Sequence, residues 1–183
     1  NYLLQFAKMG SVYMEKCMNV NNPKVGLVNI GVEEEKGNSL TKSAFELLKT
    51  SNLNFCGNVE AREIPSGEAD VIVCDGFVGN VILKYSEGLS LGLFGIIKKE
   101  ITKGVYKLAA AALKTPFKNI KKAFDPEEVG GAPFLGLKGL VVKVHGSSKE
   151  KGFKNAIKQC MIFAETDILS EIEKNIEVCE EEK

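Results

Sequence analysis

Three polar stretches of this 183-residue sequence contain the side chains best suited to chemistry, and each one directly follows a short apolar run. They are NIGVEEEKGN at residues 29–38, DGFVGNVILK at residues 75–84 and HGSS at residues 145–148. Amide, lysine and imidazole groups donate hydrogen bonds, and glycine turns expose backbone N–H groups. Such donors bind phosphate, and they also stabilise the oxyanion that forms during acyl transfer.

The second stretch has the pattern of a strand, a glycine-bearing turn and a helix. Val71 to Cys74 predict a strand buried on both faces, and helical spacing begins after Gly79-Asn80. Such a turn lies at the carboxyl edge of an α/β sheet, where ligands usually bind, and the helix N-terminus suits phosphate. Two alternatives stay open: Gly76 and Gly79 could merely make a tight connection, and Asp75 could cap the helix.

The first stretch places three consecutive carboxylates, Glu33, Glu34 and Glu35, beside Lys36. At least one carboxylate could orient the lysine or bind a positively charged group. The alternative is a solvated loop whose acidic residues favour the start of the following helix.

His145 is the only histidine of the chain, and it stands at the end of a predicted strand. Its neighbours Gly146, Ser147 and Ser148 can present N–H and hydroxyl donors at the start of the last helix. This arrangement suits an anion, or an oxyanion that forms in acyl transfer. A purely structural role for the histidine is the alternative.

Apolar periodicity predicts helices that alternate with strands. The strands are predicted at residues 25–30, 54–59, 71–74 and 139–144. Helices are predicted at residues 2–18, at residues 39–49 and from residue 79 to about 113. A further helix is predicted from Thr115-Pro116 onward, with Thr115 as its N-cap, and a last long helix contains Phe153 and Phe163. This alternation predicts an α/β fold with a mainly parallel, doubly wound sheet. If the strands are parallel, the three polar stretches face one edge and line one cleft. We expect the acidic end of the last helix, from Glu165, to be solvated or frayed.

The segment from Leu91 to Phe124 differs from the rest in composition, because its many lysines face a single acid, Glu100. After Pro116, apolar residues recur at helical spacing with lysines between them. This basic amphipathic pattern suits an anionic membrane surface or an acidic protein partner. A dimer helix with a lysine-covered outer face is the alternative.

Bulk composition limits the function classes. Lysine plus arginine equals aspartate plus glutamate at 24 each, so the chain gives no signal for nucleic acid, and no apolar run is long enough to cross a bilayer. We see no signal peptide at the start, and the absence of an initial methionine indicates a piece of a longer protein. Five cysteines without a CxxC or Cys/His cluster argue against disulfides and a zinc site, and favour a reducing cytoplasm. Cys74 and Cys160 are expected to be inert small apolar residues, a nucleophilic role being the alternative.

Five longer motifs follow one another along the chain: NIGVEEEKGN, FCGNVEAREI, GEADVIVCDGFVGNVILKYSEG, GGAPFLGLKGLVVKVHGSS and FKNAIKQC. Together they closely resemble the PlsX-type phosphate acyltransferases of bacterial phospholipid synthesis. The resemblance covers nearly the whole chain and is weakest at residues 104–122 and in the acidic tail.

The resemblance implies a three-layer αβα fold related to phosphotransacetylases and to isocitrate/isopropylmalate dehydrogenases, with a protruding helical dimer tip. Residues 1–90 would form the α/β body, residues 91–124 the protruding segment for dimerisation and membrane contact, and residues 125–183 the return to the body. Family members also carry an N-terminal part that forms the other wall of the cleft, and that part is absent from this sequence.

The resemblance also implies acyl transfer from acyl-[acyl carrier protein] to inorganic phosphate, by a cytoplasmic homodimer held peripherally at the inner face of the membrane. Neither a cofactor nor a metal is required. The expected catalytic residues are His145, Lys36 and Asn80, and the expected substrate- and phosphate-binding residues are Asn29, Glu34, Asn38, Asp75, Gly76, Gly79, Lys84, Gly146 and Ser147. The rival functions are a coenzyme A-dependent phosphate acetyl- or butyryltransferase, and a non-catalytic dimerising module that binds the membrane surface and acyl carrier protein.

Overall fold

The computed structural model describes residues 1–181, except for the side chains of residues 107–109, 126 and 177–181. The helices are α1 (Tyr2–Met18), α2 (Ser39–Lys49), α3 (Gly76–Ile101), α4 (Tyr106–Ala112), α5 (Lys114–Ala123), α6 (Pro126–Val129), α7 (Glu150–Glu165) and α8 (Ile168–Glu181). The strands are β1 (Val25–Asn29), β2 (Phe55–Glu60), β3 (Val71–Val73), β4 (Ala132–Pro133) and β5 (Val142–Lys143). The chain forms two compact units: one contains Asn1–Gly76, Pro133–Val142 and the chain from Cys160, and the other contains Phe77–Ala132 and Lys143–Gln159.

The first unit is built on a parallel sheet with the strand order β2-β1-β3. Leu27 of β1 pairs with Val73 of β3 on one side and with Asn58 of β2 on the other. The register of β1 and β2 shifts once near its start, where Gly57 adopts a φ of +97°. The parallel α/β sheet expected from the alternation of helices and strands is therefore confirmed, whereas the three-layer architecture and its relation to the dehydrogenases stay predictions.

One face of this sheet and two helices enclose the larger apolar core. Val25, Leu27, Val71 and Val73 point to that face because side chains alternate along a strand. They pack against residues of α1 and α2, namely Leu3, Ala7, Ala44, Phe45 and Leu48. Both helices consequently cover the same side of the sheet, and the strand ends that carry the candidate residues are fixed by a buried core.

A second core joins α1 to the end of the chain, and here a prediction was wrong. The last helix is not continuous: it breaks at Asp167, which has a left-handed φ of 48°, and α8 then begins at Ile168. Ile168 and Ile172 are almost completely buried against Met9 and Val12 of α1. The prediction of a solvated segment from Glu165 weighted the acidic residues and missed the isoleucines at helical spacing between them.

The helices of the second unit also differ from the expected boundaries. Helix α3 begins at Gly76 rather than after Gly79, so both glycines are helical and neither makes a turn. It ends at Ile101, and Gly104 (φ +48°) separates it from α4. Helix α5 begins at Lys114, which places Pro116 at the third helical position. That position tolerates proline because the first N–H groups of a helix have no intrahelical partner.

The predicted strand at residues 139–144 is reduced to Val142–Lys143. It pairs with β4, which the sequence did not predict, in a separate two-stranded sheet. Within the described residues β5 pairs with β4 alone. Because no strand pairs with its other side there, β5 stays shorter than the predicted strand. The premise of a single sheet edge for all three polar stretches therefore holds for the first two strands only.

Helix α3 has no buried residue along its 26 residues. Phe77, Leu83 and Leu91 are 79%, 65% and 71% exposed, although their spacing is that of an amphipathic helix. Among the described residues, no helix combines the length and the apolar character that a membrane span requires.

Candidate functional site

The loop after β1 is shaped by the side chain of Asn29, which is buried. Its Nδ2 donates to the Lys36 carbonyl at 3.1 Å, and its Oδ1 accepts from the Ile30 N–H at 2.9 Å. Gly37, with φ +97°, closes the loop in a conformation that L side chains rarely adopt. A Cβ at this position would lie 2.5 Å from Asn29 Oδ1 and would also collide with Thr41 Oγ1. Asn29, expected to bind phosphate, thus uses its amide to position the backbone of Lys36.

A second buried amide, that of Asn58 on β2, holds the same loop and was missed at the level of the sequence. Its Nδ2 donates to the Glu33 carbonyl at 2.8 Å, and the residue is only 6% exposed. Within the described part of the chain its Oδ1 has no hydrogen-bond partner. The one signal in the sequence is an asparagine inside the strand FCGNVE, where a side chain on the helix-covered face would normally be apolar.

The remaining polar residues of this loop have separate partners. Glu34 binds Lys49, with Nζ 2.8 Å from Oε2 and 2.9 Å from Oε1, and this hydrogen bond raises the pKa of the lysine. Asn38 is the N-cap of α2, because its Oδ1 accepts from the Thr41 N–H at 3.0 Å. Lys36 itself is exposed. Of the three carboxylates that could orient Lys36, that of Glu34 therefore binds Lys49 instead.

Glu34 also borders a surface hollow of about 620 Å³ beside this loop. Glu35 and Glu46 line it as well, together with Lys42 and Ser43. Because Lys49 already pairs with Glu34, the carboxylates of Glu35 and Glu46 remain against Lys42, and this excess of negative charge makes the hollow poorly suited to phosphate.

The loops after β1 and β3 open at the same sheet edge. Asn29 and Asp75 each lie two residues beyond the paired residues Leu27 and Val73 of parallel neighbouring strands. Asp75 directly precedes α3, in the N-cap position, so the N-terminus of this helix begins at that edge. The shared edge is what the sequence predicted for these two stretches.

The first turns of α3 carry three of the candidate residues on one face. Gly76, Asn80 and Lys84 follow one another at intervals of four residues, which places them in one row along the helix. Asn80 and Lys84 are exposed. An exposed amide and an ammonium group thus stand in line behind the helix N-terminus, where the helix dipole also favours negative charge.

The cysteine thiols near this edge are not prepared for nucleophilic attack. Burial raises the pKa of Cys74, and the neighbouring Asp75 carboxylate raises it further. Burial likewise raises the pKa of Cys17 and of Cys56. A thiol with a raised pKa contains little thiolate at neutral pH, which agrees with the expected inert role of Cys74. Cys179 lies outside the described side chains.

His145 belongs to the second unit and sits in a tight turn between β5 and α7. The Ser148 N–H donates to the His145 carbonyl at 2.9 Å and closes this turn. The imidazole folds back over the turn, so that its Nδ1 lies 2.7 Å from Ser147 Oγ and 3.2 Å from the Ser147 nitrogen. The side chain is exposed and is held in a definite orientation by its own turn.

The beginning of α7 already carries a carboxylate. Glu127 Oε1 accepts from the Lys149 N–H at 2.8 Å, and Asn155 of α7 donates to the carbonyls of Glu127 and Glu128. Lys151 binds Asp125 and Glu128, and the Glu127 N–H together with Lys151 lowers the pKa of Asp125. These contacts fix the turn of His145 to the segment that precedes β4.

The structure thus brings the candidates together in three groups, each internally ordered. Asn29, Glu34, Lys36 and Asn38 share the first loop; Asp75, Gly76, Gly79, Asn80 and Lys84 share the start of α3; His145, Gly146 and Ser147 share the third turn. Convergence of all three groups on one cleft stays a prediction. No cluster of histidine, cysteine and acidic side chains suited to a metal ion occurs in the described part of the chain.

Comparison with known proteins places this chain among relatives of one kind. It is 56% identical over 175 residues to the phosphate acyltransferase of Clostridium tetani, an alignment that covers 95% of this chain and 52% of that protein. Identity to the phosphate acyltransferase of Clostridium botulinum is 55% over 178 residues, with 96% and 52% covered. For that of Clostridium acetobutylicum it is 54% over 177 residues, with 96% and 54% covered.

The chain therefore spans about half the length of the curated relatives it matches. Residues 1–171 also match the sequence pattern described as fatty acid synthesis protein. The motifs, the relatives and this match agree, and the chain belongs to the fatty acid synthesis protein family, the PlsX-type phosphate acyltransferases that its sequence resembles.

Proposed function

We propose that this protein transfers an acyl group from acyl-[acyl carrier protein] to inorganic phosphate, and that the acyl phosphate product serves phospholipid synthesis. Relatives named phosphate acyltransferase support the transfer chemistry. The structural observation that carries the proposal is the sheet edge shared by Asn29 and Asp75, at which α3 begins. A helix N-terminus at the carboxyl edge of a parallel sheet is a favourable site for phosphate.

In this mechanism phosphate binds at the start of α3. Its charge faces the N-terminus at Gly76 and is held by the amide of Asn80 and the ammonium group of Lys84, while Lys36 supplies a second positive charge. A phosphate oxygen attacks the thioester carbonyl, so that a bond from oxygen to carbon forms. The bond from carbon to sulfur then breaks, and the thiolate of the carrier leaves with the electron pair.

The tetrahedral intermediate requires a hydrogen-bond donor for its oxyanion, and we assign that role to His145. No enzyme nucleophile is needed, because phosphate is itself anionic at neutral pH. Among the thiols, Cys74 lies two residues before the start of α3, and burial raises its pKa, which disfavours it as the nucleophile of a covalent route.

The test measures acyl phosphate formed by the polypeptide that the complete gene encodes, with acyl-[acyl carrier protein] and phosphate as substrates. We expect His145→Ala and Asn80→Ala to lower turnover at least about tenfold, taking the loss of one oxyanion donor as a guide. Lys143→Ala and Ser86→Ala are matched controls, since both residues are exposed: Lys143 lies at the end of β5, two residues before His145, and Ser86 lies on α3 with Asn80. Full activity of both site variants would refute the assignment of these residues.

The choice of acyl donor separates this proposal from its rivals. Acyl-[acyl carrier protein] is expected to be used in preference to acyl-coenzyme A. A preference for short-chain acyl-coenzyme A would instead indicate a phosphate acetyl- or butyryltransferase. Binding of the carrier protein with no acyl phosphate formed from either donor would indicate a non-catalytic module.

Peripheral contact with an anionic membrane, as a cytoplasmic homodimer, is the second part of the proposal. It rests on α5, where Lys118, Lys121 and Lys122 are exposed beside Ile120, and where Phe124 is 62% exposed. Lysines next to exposed apolar residues suit the surface of acidic lipids. We expect binding to anionic but not to neutral vesicles, and loss of binding in Lys118→Glu/Lys121→Glu. Equal binding to both vesicle types would refute the electrostatic part, and a monomeric mass in solution would refute the dimer.

A further inference from the structure

The hydrogen bonds of the His145 turn determine which ring nitrogen carries the proton. A backbone N–H can only donate, and the N–H of Ser147 is directed at His145 Nδ1 at 3.2 Å. Nδ1 is therefore an acceptor and carries no proton. The Ser147 hydroxyl, 2.7 Å from the same nitrogen, must also donate to it. The neutral imidazole consequently carries its proton on Nε2, at the opposite side of the ring.

The neighbouring amides strengthen this argument. Three N–H groups in succession are already engaged inside the turn: that of Ser147 by His145 Nδ1, that of Ser148 by the His145 carbonyl, and that of Lys149 by the Glu127 carboxylate. A carboxylate at the start of α7 also repels a second anion. These three N–H groups are thus not available to phosphate, and the Nε2–H of the exposed His145 is a donor that the turn presents.

We propose that His145 acts as a neutral hydrogen-bond donor through Nε2, and that Ser147 is a positioning residue that holds it in this form. The proposal rests on the acyl-transfer function proposed above. The Nε2–H group stabilises the oxyanion as the thioester carbonyl is attacked, and it transfers no proton. Neither end of the reaction needs a base: phosphate is already anionic, and a thiol with a pKa of about 8.5 departs as the thiolate.

The first test is spectroscopic and needs no activity. Because His145 is the only histidine, a long-range proton–nitrogen correlation spectrum of the ¹⁵N-labelled 183-residue chain shows a single imidazole. We expect the pattern of a proton on Nε2. Ser147→Ala removes one of the two donors to Nδ1 and should raise the population with a proton on Nδ1, whereas Ser147→Thr keeps the hydroxyl and Ser148→Ala is the neighbouring control. A wild-type spectrum with the proton on Nδ1, or no change in Ser147→Ala, would overturn the role of Ser147.

The second test separates a donor from a base in the polypeptide that the complete gene encodes. Glutamine carries an N–H group at a position comparable to Nε2 and cannot accept a proton. We expect His145→Gln to keep activity within about tenfold of wild type, and His145→Leu to lose about 10²–10³-fold. Equal loss in both variants would overturn the donor role.

A third measurement distinguishes positioning from phosphate binding. We expect Ser147→Ala to lower kcat with the phosphate KM unchanged, and Ser147→Thr to restore it. A raised phosphate KM with unchanged kcat would make Ser147 a phosphate ligand and overturn the proposal. If the wild-type polypeptide forms no acyl phosphate, the proposed function and the role of His145 in it both fail, while the spectrum still decides the role of Ser147.

Discussion

The substitution Gly37→Ala tests how the loop of Lys36 is held in place. Gly37 has a φ of +97° and lies against Asn29 and Thr41, so a methyl group there meets both a strained backbone and occupied space. Gly57 offers a matched control, because its φ is also +97° while nothing lies within 4 Å of a Cβ built on it. The difference between the two alanine variants isolates the effect of the collision.

The expected magnitudes follow from these contacts. A left-handed conformation costs an L residue about 1–2 kcal/mol, and this is the whole effect expected for Gly57→Ala. In Gly37→Ala the side chains of Asn29 and Thr41 must also move, which breaks one or two of the hydrogen bonds to Lys36, Ile30 and Asn38. Each is worth about 0.5–1.5 kcal/mol, so the total becomes about 1.5–5 kcal/mol.

Urea unfolding followed by far-ultraviolet circular dichroism measures both variants, since the chain has no tryptophan. We expect a lower midpoint for Gly37→Ala than for Gly57→Ala, with similar slopes. In the polypeptide from the complete gene, the same variant should raise the phosphate KM because Lys36 is displaced. Equal loss of stability in the two variants would show that the loop does not pack as described, and the account of Asn29 as its anchor would be withdrawn.

Three further predictions concern single contacts. At neutral pH, Asn58→Asp should destabilise the fold more than Asn58→Leu. The buried carboxylate would face the Glu33 carbonyl, which accepts hydrogen bonds and cannot donate one to it. Equal urea midpoints for the two variants would contradict this. Ile172→Ala should lower the free energy of unfolding by about 2–5 kcal/mol, because Ile172 is buried against α1, and Glu173→Ala should lower it by under about 0.5 kcal/mol. Equal effects of the two variants in the same assay would show that α8 does not pack on α1. Hydrogen bonds from Lys174 and Lys16 lower the pKa of Glu171 below its usual 4.5. The ionised carboxylate therefore stabilises the fold above about pH 4.5, and this stabilisation is lost as the pH falls through the lowered pKa of the folded state. The Tm deficit of Glu171→Gln should therefore shrink on acidification from about pH 7 to about pH 3, and a constant deficit would argue against the ion pair.

The elements that the sequence predicted well are those whose stability comes from local signals. Helix α2 has the predicted bounds, residues 39–49, because Asn38 provides a cap and its apolar residues lie at helical spacing. Strands β1 and β3 are runs of branched apolar residues that a buried parallel sheet favours. The elements that differed, β5 and the start of α5, depend on pairing and on terminal hydrogen bonds that no local pattern encodes.

The candidate site divides in the same way. That Asn29 and Asp75 share an edge follows from the parallel order of two strands, which the alternating pattern predicted. The anchoring of the loop by Asn58 could not be predicted, because it depends on how residues 30–37 fold over a strand that is distant in sequence. The orientation of His145 likewise depends on hydrogen bonds within a turn whose shape the sequence HGSS does not specify.

The solvent exposure of α3 determines how fast its amide hydrogens are expected to exchange with solvent. Its backbone amides are protected by their own helical bonds, and none of its side chains is buried; the ring of Phe94, which contacts that of Phe124, is itself partly exposed. The amides of β1 are covered by Leu27, Val25 and the helices above them, so their hydrogens exchange with solvent only when the whole sheet comes apart. In deuterated water, labelling is therefore expected to run ahead along the helix that bears Asn80 and Lys84, and to reach the central strand last.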